Sequence, residues 1–233
     1  MLLACNNDII AIPTTDNTAG AQLMMKSALL AAFACLLLHG CATPLDRSTQ
    51  LPGPDESLLV LGANRPYSIM LIHGSIENGE FSPSSSRPPA IKGQPTDGYV
   101  TGRAKAGSLL ALTTVSSIQP NGIMMDTTWS PCQMPAIMLF TVPPGKVIYL
   151  GSVEFAGSSG RPGLAMGYEN RLAQAQQYVD TAFPALSGKL EYVAPDFVPH
   201  AARCRFDMST GSTYYNGLRT EPRYKTLEEA ARH

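Results

Sequence analysis

The sequence predicts a mainly β fold, an antiparallel β-sandwich with one packed α-helix, on three observations. Short apolar runs rich in β-branched residues recur between clusters of Pro, Gly and Ser, the pattern of strands joined by turns. A single stretch holds helical spacing over several turns. Residues from Cys41 onward have room for one domain and a tether, not for two full domains.

Taken in order, Ser57-Leu58-Leu59-Val60-Leu61 is a short apolar run, and Tyr67 to Ile76 places Ile69, Leu71, Met70 and Ile72 as if both faces were buried. Both are expected strands. From Asn78 to Gly98 the chain turns rich in Pro, Ser and Gly, so a long loop is expected there. Leu109 to Ile118 alternates apolar and β-branched residues with Thr and Ser, as a half-buried strand does.

Ile137-Met138-Leu139-Phe140-Thr141-Val142 and Val147 to Phe155 flank Pro143-Pro144-Gly145-Lys146. Proline fixes φ and glycine accepts a positive φ, so this stretch reads as a β-hairpin. Between about Glu169 and Ala182, Leu172, Ala175, Val179 and Ala182 fall at helical spacing, and Pro184 stops the helix. Leu190 to Val193 adds a strand, and Thr226-Leu227-Glu228-Glu229 has the capping-box pattern of a short terminal helix.

Ahead of the domain lies the run from Ala28 to Leu38, preceded by Lys26 and followed by Leu38-His39-Gly40-Cys41. As a helix the run rises about 16 Å, against a hydrocarbon core of roughly 30 Å, so it fits the apolar segment of a signal peptide rather than a span. Leu38 to Cys41 resembles the lipobox of bacterial lipoproteins. The resemblance implies that the peptide before Cys41 is removed, that Cys41 carries a diacylglycerol on its sulfur, and that the new amino group is acylated. Ala42 in place of an aspartate then implies the outer membrane, with the domain in the periplasm. Met1 to Leu23 hold Asp8 and Asp16 and no basic residue, so they read as an upstream mis-start, leaving residues 24–40 as the signal peptide, 41–56 as a lipidated tether and 57–233 as the domain. The phrase from Phe140 to Gly151 also resembles a hairpin of small β-sandwich lipoproteins of unknown function from Gram-negative bacteria, a likeness that brings no catalytic residues with it.

Charge excludes one class of partner. The chain has 18 acidic and 17 basic residues; removing Asp8, Asp16 and Lys26 leaves 16 of each in the mature part. The basic residues are scattered, with no run to follow a phosphate backbone, so no nucleic acid is expected. Cys5 and Cys35 fall in the leader and Cys41 carries lipid, which leaves Cys132 and Cys204. Two thiols in an oxidising compartment are expected to form one disulfide. Neither lies at C-x-x-C spacing, and no phosphate loop or dinucleotide fingerprint appears, so no metal and no cofactor are expected.

These features lead to a non-enzymatic expectation: a lipid-anchored envelope protein with a binding or structural role. Its partner would be another envelope protein or peptidoglycan, met through the 78–98 loop or an exposed strand edge. The alternative is a serine hydrolase of α/β-hydrolase type. His73-Gly74 would then shape an oxyanion hole, and Ala156-Gly157-Ser158-Ser159-Gly160 would present Ser158 as nucleophile, with His200 and Asp180 or Asp196 completing a triad. The Pro and Ser loop between His73 and Ser158 stands where that fold needs a helix and parallel strands.

Overall fold

The computed structural model describes residues 44–118, 125–156, 164–199, 202–208 and 212–232, all within a compact unit running from Cys41 to His233. The strands are β1 (Glu56–Ala63), β2 (Ser68–Glu77), β3 (Glu80–Pro83), β4 (Ile91–Gly93), β5 (Tyr99–Lys105), β6 (Leu109–Ile118), β7 (Met125–Trp129), β8 (Ala136–Thr141), β9 (Val147–Ala156), β10 (Ala165–Glu169), β11 (Leu190–Tyr192), β12 (Asp196–Pro199), β13 (Ala202–Asp207) and β14 (Ser212–Arg219). The helices are α1 (Leu172–Ala182) and the single turn α2 (Leu227–Ala230). One sheet has the order β10-β9-β1-β5, with β11 also paired to β9. The larger sheet runs β12-β8-β6-β2-β3-β14-β13, with β4 against β2 and β7 against β6.

The fold is therefore mainly β, two sheets sharing a core, as the sequence predicts. Leu59, Leu61, Ile148, Leu150, Val153 and Phe155 of the smaller sheet meet Ile69, Leu71, Leu110, Leu112, Ile137 and Leu139 of the larger one. A second core lies on the other face of the smaller sheet, where Leu58, Val60, Val147 and Tyr149 receive Ala175 and Val179 of α1 together with Phe183 and Leu186. Three layers result, and the central sheet is covered on both sides. That explains the unbroken burial of β1 from Ser57 to Ala63. Pro184 ends α1 as expected, and Thr226 caps α2 by accepting from the Glu229 amide at 3.2 Å.

The structure corrects two expectations. The first is the hairpin: β8 belongs to the larger sheet and β9 to the smaller, so the two strands do not pair. The Pro-Pro-Gly-Lys link instead crosses between layers, its polar groups satisfied by the start of β1. The Ser57 hydroxyl donates to the Pro143 carbonyl at 2.5 Å and accepts from the Lys146 amide at 2.9 Å, while the Gly145 amide donates to the Glu56 carbonyl at 3.0 Å. β9 pairs with β1 and β11 in parallel, so the sandwich is mixed rather than wholly antiparallel. The second is the 78–98 loop, which contains the short strands β3 and β4, held by the fully buried Phe81 and Ile91.

A bulge in β9 sets which side chains reach the core. Val60 pairs with Tyr149 but Gly62 pairs with Ser152, so β9 spends one more residue than β1 over this stretch. Gly151 takes the turn at φ +94°, and the side-chain alternation resets: Ile148 and Leu150 before it and Val153 and Phe155 after it all face the shared core.

Part of the expected tether is folded onto the body. Leu45 is 8% exposed within the second core, and its amide donates to the Thr101 hydroxyl at 3.1 Å. Asp46 closes the turn by accepting from the Ser48 amide at 2.9 Å and the Ser48 hydroxyl at 2.7 Å, and Thr49 is buried beside it. Burying one leucine side chain stabilises such docking by about 1.5–3 kcal/mol.

Candidate functional site

Of the residues singled out from sequence, Cys41, Ser158 and His200 lie outside the described residues. His73 and Gly74 lie within β2, which continues to Glu77, so they form strand rather than the turn an oxyanion hole requires. Gly74 has a packing reason to be glycine, since a side chain there would run into the Phe81 ring. His73 is 8% exposed with no hydrogen-bond partner for Nδ1 among the described residues. Burial, with Arg87 nearby, holds its imidazole below the ordinary value, which favours the neutral form. Asp196 pairs with Lys225 and with Arg223.

Asp180 serves the end of α1, accepting from the Ser187 hydroxyl at 2.8 Å and the Gly188 amide at 3.0 Å. These bonds favour the carboxylate, the Ser187 hydroxyl most, and its pKa falls below the ordinary 3.8. The stabilisation is fully present above the unfolded value and is lost as pH falls through the lower folded one. An NMR titration is expected to show the Ser187 and Gly188 amides moving together with a midpoint below 3.8. Asp180→Asn should abolish that step.

Cys132 and Cys204 form a disulfide with Cα atoms 6.1 Å apart, within the ordinary range. The bridge joins the turn after β7 to β13, the last strand of the larger sheet, so that sheet curls back on itself. Trp129 is fully buried in the shared core, its ring centroid 5.5 Å from that of Tyr67. Burial pushes the Tyr215 hydroxyl up to about 12, with Thr113 acting in the opposite sense.

The side chains that converge on open space are others. A cleft of about 250 Å³ lies between the docked N-terminal segment, the β4–β5 connection and the C-terminal half of α1. Its aromatic wall is Tyr99 stacked on Tyr178, centroids 4.3 Å apart at 18°, with Phe183 set edge-on to Tyr178 at 5.7 Å. Burial raises both phenols above their ordinary value, and Asp97 adds to the effect on Tyr178. Asp97 sits at φ +51° in the turn that closes with the Thr96 and Tyr99 amides bonded to each other's carbonyls. Arg47 and Lys92, exposed and without an ion-pair partner among the described residues, also line the cleft, together with Asp46.

A shallower depression of about 170 Å³ shares Asp97 and Tyr99 with this cleft and continues past Asn64, Ser152 and Gln174 to Arg171. Arg171 is held by Glu154 and by Glu169, the latter at 2.7 Å. Below it the Tyr149 hydroxyl meets Ser152 Oγ at 2.7 Å and accepts from the Arg171 amide at 3.3 Å. On the opposite edge of the smaller sheet, a groove of about 600 Å³ runs between β10 and α2, lined by Met166, Tyr168, Leu227 and Lys225.

Among the described residues, neither a histidine nor a cysteine lines any of these three sites, and no three His, Cys, Asp or Glu side chains converge as a metal site. The Tyr99–Tyr178 cleft offers stacking, two cations and two carboxylates, Asp46 being engaged by Ser48 and Thr49, which is chemistry for holding a small polar group. Sequence reasoning pointed to the 78–98 stretch as an interface, which takes in Lys92 and Asp97, but not to Tyr99, Tyr178 or Arg47. No family model matches the chain, and no curated protein or solved structure matches it either.

Proposed function

We propose that this chain is a lipoprotein of the bacterial outer membrane, anchored by acyl chains on Cys41, whose periplasmic β-sandwich binds a component of the envelope. The observation that carries the reading is the short apolar run from Ala28 to Leu38 behind Lys26, ending at Gly40-Cys41. The Cys132–Cys204 disulfide supports it, since such bonds persist in oxidising compartments. The Tyr99–Tyr178 cleft supports a binding role, and an envelope protein or peptidoglycan is the partner to be identified at the 78–98 stretch or an exposed strand edge. Acyl chains contribute about 0.8 kcal/mol per buried CH₂, so two or three make attachment effectively permanent.

Metabolic labelling with an alkyne palmitate analogue tests the anchor. The wild-type chain is expected to take the label and Cys41→Ser to lose it completely. A labelled Cys41→Ser protein would refute lipidation at this cysteine.

A further inference from the structure

The docked segment fixes where the cleft stands relative to the anchor. Pro44 to Arg47 form one wall of the cleft, and Leu45 holds that wall in the second core. Three residue steps separate Cys41 from Pro44, a reach of at most about 11 Å. If Cys41 is acylated, the Pro44 end of the cleft wall therefore lies within reach of the headgroup layer of the same membrane. A soluble ligand has no need of such a position; a headgroup does.

The charges in the cleft are of both signs and are arranged as separate claims on a ligand. Arg47 and Lys92 supply two cations, suited to a phosphodiester, with no ion-pair partner among the described residues. Asp46 lines the cleft as well, but its carboxylate is already engaged by Ser48 and Thr49. Asp97 is not so occupied, and it stands by the Tyr99–Tyr178 stack. A carboxylate beside aromatic faces is an environment for a primary ammonium, whose N–H groups donate to the carboxylate while its charge lies against the rings; a quaternary ammonium has no N–H to donate. A purely anionic ligand would leave Asp97 opposed to it, whereas a ligand with phosphate and ammonium a few bonds apart satisfies both sets.

We propose that the cleft walled by Pro44–Arg47, Lys92, Asp97 and the Tyr99–Tyr178 stack takes the zwitterionic headgroup of an aminophospholipid, phosphate toward Arg47 and Lys92 and ammonium toward Asp97. This rests on the lipid anchor at Cys41 proposed above.

The test is hydrogen exchange read by mass spectrometry on the protein purified from membranes and placed in nanodiscs. Discs of phosphatidylcholine alone are compared with discs that add phosphatidylethanolamine or phosphatidylglycerol, and with phosphatidylcholine discs in added inorganic phosphate. Exchange over residues 44–50 and 91–99 is expected to slow roughly fivefold with phosphatidylethanolamine and little in the other arms. Arg47→Gln with Lys92→Gln should remove that protection, and Asp97→Asn should shift it toward phosphatidylglycerol. Equal protection in every disc reflects proximity to the bilayer only and overturns the proposal, as does equal protection by inorganic phosphate or by phosphatidylglycerol in the wild type. Intact mass of the same sample separates the two readings. Acylated protein without headgroup-dependent protection refutes the cleft assignment alone, and protein lacking the acyl mass refutes the anchor on which it rests.

Discussion

Gly151→Val is expected to destabilise the domain by about 2–5 kcal/mol, a large share of the 5–15 kcal/mol typical of a whole fold. Two costs add at this position. A side chain at φ +94° is strained by about 1–2 kcal/mol whatever surrounds it. The new atoms would also enter the Tyr168 ring, and overpacking of a filled site costs about 1–3 kcal/mol more. Tyr168 has little freedom to yield: its hydroxyl donates to the Leu150 carbonyl at 2.9 Å and meets the Tyr192 hydroxyl at 3.0 Å, and its ring packs edge-on to Phe197 of the other sheet at 5.1 Å. Gly79→Ala is the control, with φ +76° and nothing within 4 Å of the added carbon, so only the backbone cost of about 1–2 kcal/mol applies. Urea unfolding followed by near-ultraviolet circular dichroism measures both. Equal losses in the two variants would show that the Tyr168 contact adds nothing.

Opening the Cys132–Cys204 bridge is expected to cost about 4 kcal/mol, the loop-closure entropy of a cross-link spanning 72 residues in the chain-entropy model. Cys204 is exposed, so a reductant reaches the bond without prior unfolding. The urea midpoint of the wild type should fall on reduction, and Cys132→Ala with Cys204→Ala should give the same lowered midpoint with or without reductant. An unchanged midpoint, with both thiols shown free by mass, would mean that the bridge does not restrain the unfolded chain.

Local patterns carried much of the fold into the sequence. β1, β2 and β6 are apolar runs of the right length, α1 follows its stripe of Leu172, Ala175 and Val179, and the Thr226 cap sits where its motif placed it. The hairpin failed for a physical reason that the same residues display. Strands paired in a half-exposed hairpin alternate apolar with polar, yet Ile137 to Phe140 and Val147 to Leu150 are unbroken apolar runs. Continuous runs mark strands buried on both faces, and such strands take neighbours from elsewhere in the chain. The glycine turn between them was legible; which sheet each strand would join was not, because that depends on partners such as Leu58 for Val147. β3 and β4 were hidden for the opposite reason, since each is too short for a period to show and depends on one buried side chain, Phe81 or Ile91.

The cleft was less legible still. Tyr99 follows a turn, Tyr178 adjoins the apolar stripe of α1 without belonging to it, and Arg47 lies in a segment that reads as unstructured. Only tertiary docking, with Leu45 as the fixed point, brings these three regions to one place.

The position of β1 also dictates an order of assembly. It is the first strand among the described residues, yet it lies inside its sheet between β5 and β9, so it gains its second neighbour only when the chain near Val147 has arrived. Closing so long a parallel crossover before any contact rewards it is a high-contact-order step, which places this domain among slow folders, on the scale of milliseconds to seconds. Until then Leu58 to Leu61 remain an unshielded greasy ribbon, and whatever escorts the nascent polypeptide has those four residues to protect.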